Sequence, residues 1–135
     1  MDAQTLIQTL TIQCGYTGHI VDSRGATLEV LGQERPFPAD KYARYVRGSD
    51  EVVGAEGTVP LSEMVADFAA TADGLKAGLA ALTSVRLVEK APFSPMNDEK
   101  ETIGSLMAGM AFHEAYHCGQ LGVLRRMAGA EGIIK

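Results

Sequence analysis

Cysteine is scarce in this chain, with Cys14 and Cys118 the only two in 135 residues. That is too few for a disulfide scaffold, and no CxxC spacing occurs, so a reduced, cytoplasmic protein is expected. Basic residues are outnumbered, 12 Lys and Arg against 17 Asp and Glu, for a formal charge of −5. An electrostatic grip on nucleic acid or anionic lipid is thereby disfavoured. Long apolar runs are lacking as well. The longest, Ile103 to Phe112, is about half the length a bilayer crossing requires. The opening MDAQTLIQTL places an acid at position 2 and has no basic n-region, so it does not read as a secretory signal. Neither GxGxxG nor GxxxxGKS/T is found, and no GxSxG elbow, which removes the common phosphate-cradling and serine-hydrolase motifs. Tryptophan is absent and histidine occurs three times, as His19, His113 and His117.

What is present is a chain 46% hydrophobic, long enough for one core, and read as a single domain over 1–135. Three segments carry helical periodicity, and nothing alternates like a strand for more than a few residues. In the first, from about Ala3 to Leu31, Ala3, Ile7, Leu10, Cys14, Thr17, Val21, Leu28 and Leu31 form an apolar stripe. Gly15, Gly18 and Gly25 weaken it, leaving a break near Gly15 open, and Gly32 ends it. In the second, Leu61, Val65, Phe68, Ala72, Leu75, Leu79 and Leu82 give a bundle seam, with Thr58 as cap and Pro60 in the first turn. The third starts between Asp98 and Thr102 with Glu99 and Glu101 near its N-terminus. It runs to Ala128, where Arg125 and Arg126 suit the C-terminal dipole and Gly129 stops it. Residues 33–59 form a long connection in which Pro38 to Val46 could make a short helix, and 83–97 read as an extended crossover. An all-α bundle is the expected architecture.

His113 and His117 stand four apart, about 40° from one another on one helix face. They continue the stripe Ile103, Leu106, Met110, Leu121, Leu124, so both imidazoles are expected to face the bundle interior. Interior imidazoles need partners for their nitrogens. Two readings stay open at this point: a metal pair, or hydrogen-bonded structural histidines. His19, on the first helix, could add a third imidazole from a facing helix and leave open positions on an ion. The string His113-Glu114-Ala115-Tyr116-His117 also matches the zinc-protease HExxH motif. Gln120 and Val123 stand where the longer metzincin form wants glycine and histidine, and Glu131 is the one acidic residue downstream. A protease is therefore disfavoured.

Gly18-His19-Ile20-Val21-Asp22-Ser23-Arg24, Arg47-Gly48-Ser49, and HEAYHCGQLG from His113 to Gly122 followed by Leu124-Arg125-Arg126 together resemble the DinB-like superfamily. These are damage-inducible metal-binding four-helix proteins, unrelated to the DNA polymerase of similar name. The resemblance covers almost the whole chain. It implies a four-helix bundle, a divalent metal on His19, His113 and His117, and frequent homodimers. It further implies a low-molecular-weight thiol as co-substrate, because characterised relatives include maleylpyruvate isomerases and S-transferases using mycothiol or bacillithiol. Other relatives are called metal-dependent hydrolases.

One departure concerns the first helix, since a full helix usually precedes the one bearing the first histidine. Either it is shortened to about Ala3–Cys14, or it is missing and Ala3–Leu31 is continuous. The second is the expectation, with the uncovered groove completed by an obligate homodimer.

Three neutral imidazoles would leave an ion with open positions, able to lower the pKa of bound water to about 7 or to hold a thiol as thiolate. The leading function is thus metal-dependent thiol transfer, isomerisation or hydrolysis of a small-molecule substrate. The alternative is a non-catalytic metal-binding or ligand-sensing bundle, which a fourth protein ligand would favour. Asp22 and Gln120 are the candidates for that position or for orienting an imidazole, with Tyr16 and Glu114 also near the site. Zinc is the expected metal, nickel or iron the alternatives. Cys14 and Cys118 are expected to pack as small buried side chains, and Arg24, Arg125 and Arg126 either hold a carboxylate or serve as solvated helix ends.

Overall fold

The computed structural model describes residues 2–50, 52 and 56–132. Its elements are α1 (Ala3–Val30), a single 3-10 turn (Ala43–Tyr45), α2 (Leu61–Ala70), α3 (Ala72–Ala80), α4 (Ser84–Val88) and α5 (Ile103–Met127). Among the described residues there is no strand, only an isolated antiparallel bridge between Lys90 and Thr102. The α2 and α3 segments are two halves of one rod, so among the described residues α1, that rod, the short α4 and α5 make a four-part all-α bundle.

The first helix is continuous through Gly15, with no break that would mark a separate shortened helix. Asp2 caps it by accepting from the Thr5 amide at 2.8 Å, and Gly32 at φ +72° ends it in the left-handed conformation that glycine tolerates. Ile20, Val21, Leu28 and Val30 are buried on its inner side, while Leu10 is exposed. The side chains of Ala3 and Ile7, at the start of the expected stripe, lie outside the described residues.

The second rod departs from expectation in register and in continuity. Met64, Thr71 and Gly78 are its buried positions, whereas Leu61, Val65 and Leu79 of the predicted seam are exposed. Its start is also shifted: Pro60, and not Thr58, is the N-cap residue. The physical reason for the register is a buried polar group. Thr71 is fully buried because its hydroxyl donates to the Phe68 carbonyl (2.7 Å) and accepts from Arg24 Nη1 (3.1 Å). That tie rotates Thr71 inward and interrupts the rod there.

Residues 83–97 are not extended throughout. Thr83 caps α4 by accepting from the Arg86 amide, and the chain then pairs briefly with the segment before α5, Ala91 N–H donating to Glu101 O at 2.9 Å. Thr102 and Ser105 form a reciprocal capping box at the start of α5, and Gly129 at φ +83° follows its end. Pro38 to Val46 yields only the 3-10 turn, but it delivers Tyr42 and Tyr45 into a core cluster with Val21, Phe37 and Met64. A second cluster joins Val30, Ala91, Ile103 and Leu106. Among the described residues no helix is long and apolar enough to cross a membrane.

Candidate metal centre

The helical spacing of His113 and His117 brings their Nε2 atoms to 3.0 Å, and α1 crosses α5 so that His19 Nε2 also lies 3.0 Å from His113 Nε2. All three ligand atoms fall within 4.8 Å of one another. An ion with tetrahedral Zn–N bonds would set its ligand atoms about 3.3 Å apart, so the triangle needs only small adjustment to close on one. The imidazoles pack edge to face, with interplanar angles of 76° between His19 and His113 and 87° between His113 and His117.

The distal nitrogens decide what the proximal ones can do. His19 Nδ1 lies 2.8 Å from the Tyr45 carbonyl, an acceptor only, so Nδ1 carries the proton and Nε2 presents a lone pair. His117 Nδ1 lies 2.6 Å from Gln120 Oε1, which again leaves Nε2 as the lone pair. Gln120 is held in turn, donating from Nε2 to the Tyr16 hydroxyl at 3.2 Å. Two lone pairs thus converge on a third nitrogen, an arrangement that a shared cation satisfies and a single His113 proton serves poorly. Nδ1 of His113 is buried with no hydrogen-bond partner among the described residues.

Electrostatics agree with neutral ligands. Burial, reinforced by His19 and His117 and opposed by Glu114, pushes His113 down to about 4. Burial also lowers His19; the Tyr45 carbonyl opposes it, His117 adds to it and Asp22 opposes it. His19 and His113 are thereby held toward the neutral form that a divalent ion requires of an imidazole.

Gly18 is required for this geometry. A Cβ there would stand 2.5 Å from Cγ of the Tyr45 ring, which lies directly against α1 beside His19. The close approach puts the Tyr45 carbonyl onto His19, and the Tyr45 hydroxyl accepts from the Val59 amide at 3.0 Å to hold the turn in place.

The other residues singled out from the sequence separate clearly. Gln120 and Tyr16 reach the centre through His117. Asp22 does not, because its carboxylate accepts from Arg35 Nη1 at 3.1 Å and ties α1 to the loop that follows. Glu114 turns away to Arg24, whose Nε and Nη2 each donate to it at 2.7 Å. Arg24 is thereby also engaged and stacks 3.6 Å over the Phe68 ring, while Arg125 donates to the Glu131 carbonyl beyond the end of α5. Cys118 is exposed rather than packed as a small buried side chain, and Cys14 is half-buried. Neither thiol joins the histidines, and among the described residues no carboxylate does.

A cavity of about 690 Å³ opens on the three histidines. Tyr16, Met110, Val46 and Met96 contribute to its walls, and Arg44 and Arg47 lie at it too. Helical periodicity points to neither arginine as a site residue. The 3-10 turn that puts them there is set by aromatic residues in the core, which is a tertiary effect.

The family model for the DinB superfamily matches residues 15–121. The chain belongs to the DinB superfamily. The matched range of this DinB-superfamily chain includes His19, His113 and His117, the three histidines that come together, and Gln120 beside them. No curated protein and no solved structure matches the chain.

Proposed function

We propose that this DinB-superfamily chain is a cytoplasmic, divalent-metal-dependent enzyme that uses a low-molecular-weight thiol for S-transfer or isomerisation, with hydrolysis as the near variant. The observation that supports it most is the open face of the centre: three converging imidazole nitrogens, no further anionic ligand among the described residues, and a mainly apolar cavity beside them. His19, His113 and His117 would hold the ion, with zinc expected and nickel or iron as alternatives. Bound there, it supplies Lewis acidity, the property that makes a thiol or water nucleophilic at neutral pH.

The protein's own residues do the rest. Tyr45 and Gln120 fix two imidazole tautomers and ring orientations, as hydrogen-bond partners of metal-binding histidines do. The Tyr16 hydroxyl, anchored by Gln120, stands where it can donate its proton to a bound substrate. The apolar walls limit water around the reacting atoms.

We propose in addition that a second copy covers the outer face of α5. Phe112 is 73% exposed and Tyr116 55%, and Val123 and Met127 continue the stripe at helical spacing. Gly119 lies at its middle with open space beside it. Bulky apolar groups on either side of a glycine make a self-complementary face, which a two-fold contact needs.

The test is turnover by metal-loaded protein with mycothiol, bacillithiol or glutathione against a panel of electrophiles, beside ester and amide substrates. Thiol-dependent turnover that disappears in His113→Ala supports the enzyme reading. Stoichiometric metal with no turnover on any substrate would favour the non-catalytic, ligand-sensing alternative.

A further inference from the structure

Arg44 and Arg47 line the cavity beside the histidines, and no carboxylate among the described residues pairs with either. Arg44 Nη1 donates to the Glu56 carbonyl, and Arg47 Nη1 donates to the Pro95 carbonyl at 2.6 Å. Both acceptors are neutral backbone groups. Among the described residues neither guanidinium forms an ion pair, in contrast to Arg24, Arg35 and Arg86, which all do. Asp50 lies with Arg44 along a neighbouring cleft but makes no ion pair with it.

The two arginines are also held in place. Ser49 Oγ bonds the carbonyls of Arg44 and Val46, at 2.9 and 2.8 Å, which fixes the turn between them. The Arg47–Pro95 bond ties this turn to the segment before α5, so the guanidiniums belong to a braced wall. A chain that spends two cations on a mainly apolar cavity, in a protein of charge −5, has built a handle for an anion.

We propose that this cavity takes a small molecule with an apolar body and a carboxylate, the carboxylate held by Arg44 and Arg47 and the reactive end directed to the three histidines. The assignment names the substrate class of the centre under Proposed function and rests on that reading for the role of the reactive end. The carboxylate can belong to an apolar acid or to an acidic thiol. In either case the residues that recognise it are the same. Ile12, Val46, Met96 and Met110 supply the surface for the apolar body. An uncharged analogue would leave the guanidiniums with water and gain only the apolar contact.

Titration calorimetry with 3-phenylpropanoate, its neutral amide and 3-mercaptopropanoate tests this, using metal-stripped and zinc-loaded protein. In the metal-stripped protein the acid should bind about 10- to 100-fold more tightly than the amide, the range of charge-assisted hydrogen bonds. Arg44→Ala/Arg47→Ala should abolish that preference with zinc content unchanged, and Arg47→Lys should keep part of it. Whichever acid binds more tightly to the zinc-loaded protein identifies the source of the carboxylate. Equal binding of acid and amide to wild-type protein would overturn the proposal, whatever the metal content. A preference confined to zinc-loaded protein and indifferent to both arginines would overturn it too, because the ion would then be the carboxylate's partner. Loss of zinc from wild-type protein, with the arginine-dependent preference intact, would instead refute only the metal reading.

Discussion

Arg24 and Glu114 form a bidentate ion pair, two N–H···O bonds of 2.7 Å that join α1 to α5 at the residue next to His113. The remaining guanidinium nitrogen reaches Thr71 and the Phe68 carbonyl, so the same side chain also holds the break between α2 and α3. This pair accounts for the glutamate of the HExxH string. It is a brace between three helices, and its carboxylate faces away from the centre.

Glu114→Gln is expected to lower stability by about 1–3 kcal/mol in urea denaturation, the range for losing partly buried charge-assisted hydrogen bonds. Zinc affinity should change little. Turnover lost while unfolding stays unchanged would mean that Glu114 acts as a base after all.

Gln120→Ala removes the acceptor for His117 Nδ1 and the donor to Tyr16 together. Metal affinity in a chelator competition should fall about 10- to 100-fold, as found when such orienting groups are removed. Gln120→Glu keeps an acceptor for the imidazole proton and should restore most of the loss. Undiminished affinity in Gln120→Ala would show that His117 needs no orientation from it.

Acid should destabilise the metal-free protein through its histidines. In the unfolded chain His113 takes up a proton near 6.5, but in the folded protein only near 4. The folded-state value is depressed, so protons favour the unfolded chain: this contribution is at its full favourable level above about 6.5 and is lost as pH falls toward 4. Denaturation of chelator-treated protein between pH 7.5 and 4.5 should show a steeper decline than His113→Phe shows. Parallel pH profiles for the two proteins would contradict the buried, neutral imidazole.

The exposed stripe on α5 predicts a dimeric mass in sedimentation equilibrium at micromolar concentration, and a monomer after Tyr116→Lys/Val123→Lys. A monomeric wild-type protein would remove the second copy from the account.

The parts legible in the sequence are those fixed by local geometry. The i, i+4 spacing places His113 and His117 on one face of any helix, and Gly32 and Gly129 mark helix ends because few other residues adopt their φ. The all-α architecture follows from three long periodic segments. The parts that were not legible depend on contacts distant in sequence. The buried face of α2 and α3 is decided by the Thr71 hydroxyl meeting Arg24, 47 residues earlier, and not by the leucine spacing. Asp22 and Glu114 stand near histidines in sequence, yet Arg35 and Arg24 draw them elsewhere. Arg44 and Arg47 reach the cavity only because Tyr42 and Tyr45 anchor their loop in the core. Helical periodicity carries no information on such pairings.

His19, His113 and His117 are expected to hold one divalent ion between them. The most direct measurement is elemental analysis of untagged protein, purified without added metal, beside His19→Ala, His113→Ala and His117→Ala. One zinc, nickel or iron per chain is expected in the wild type, with a large loss in each variant. Stoichiometric metal retained by all three variants would contradict it.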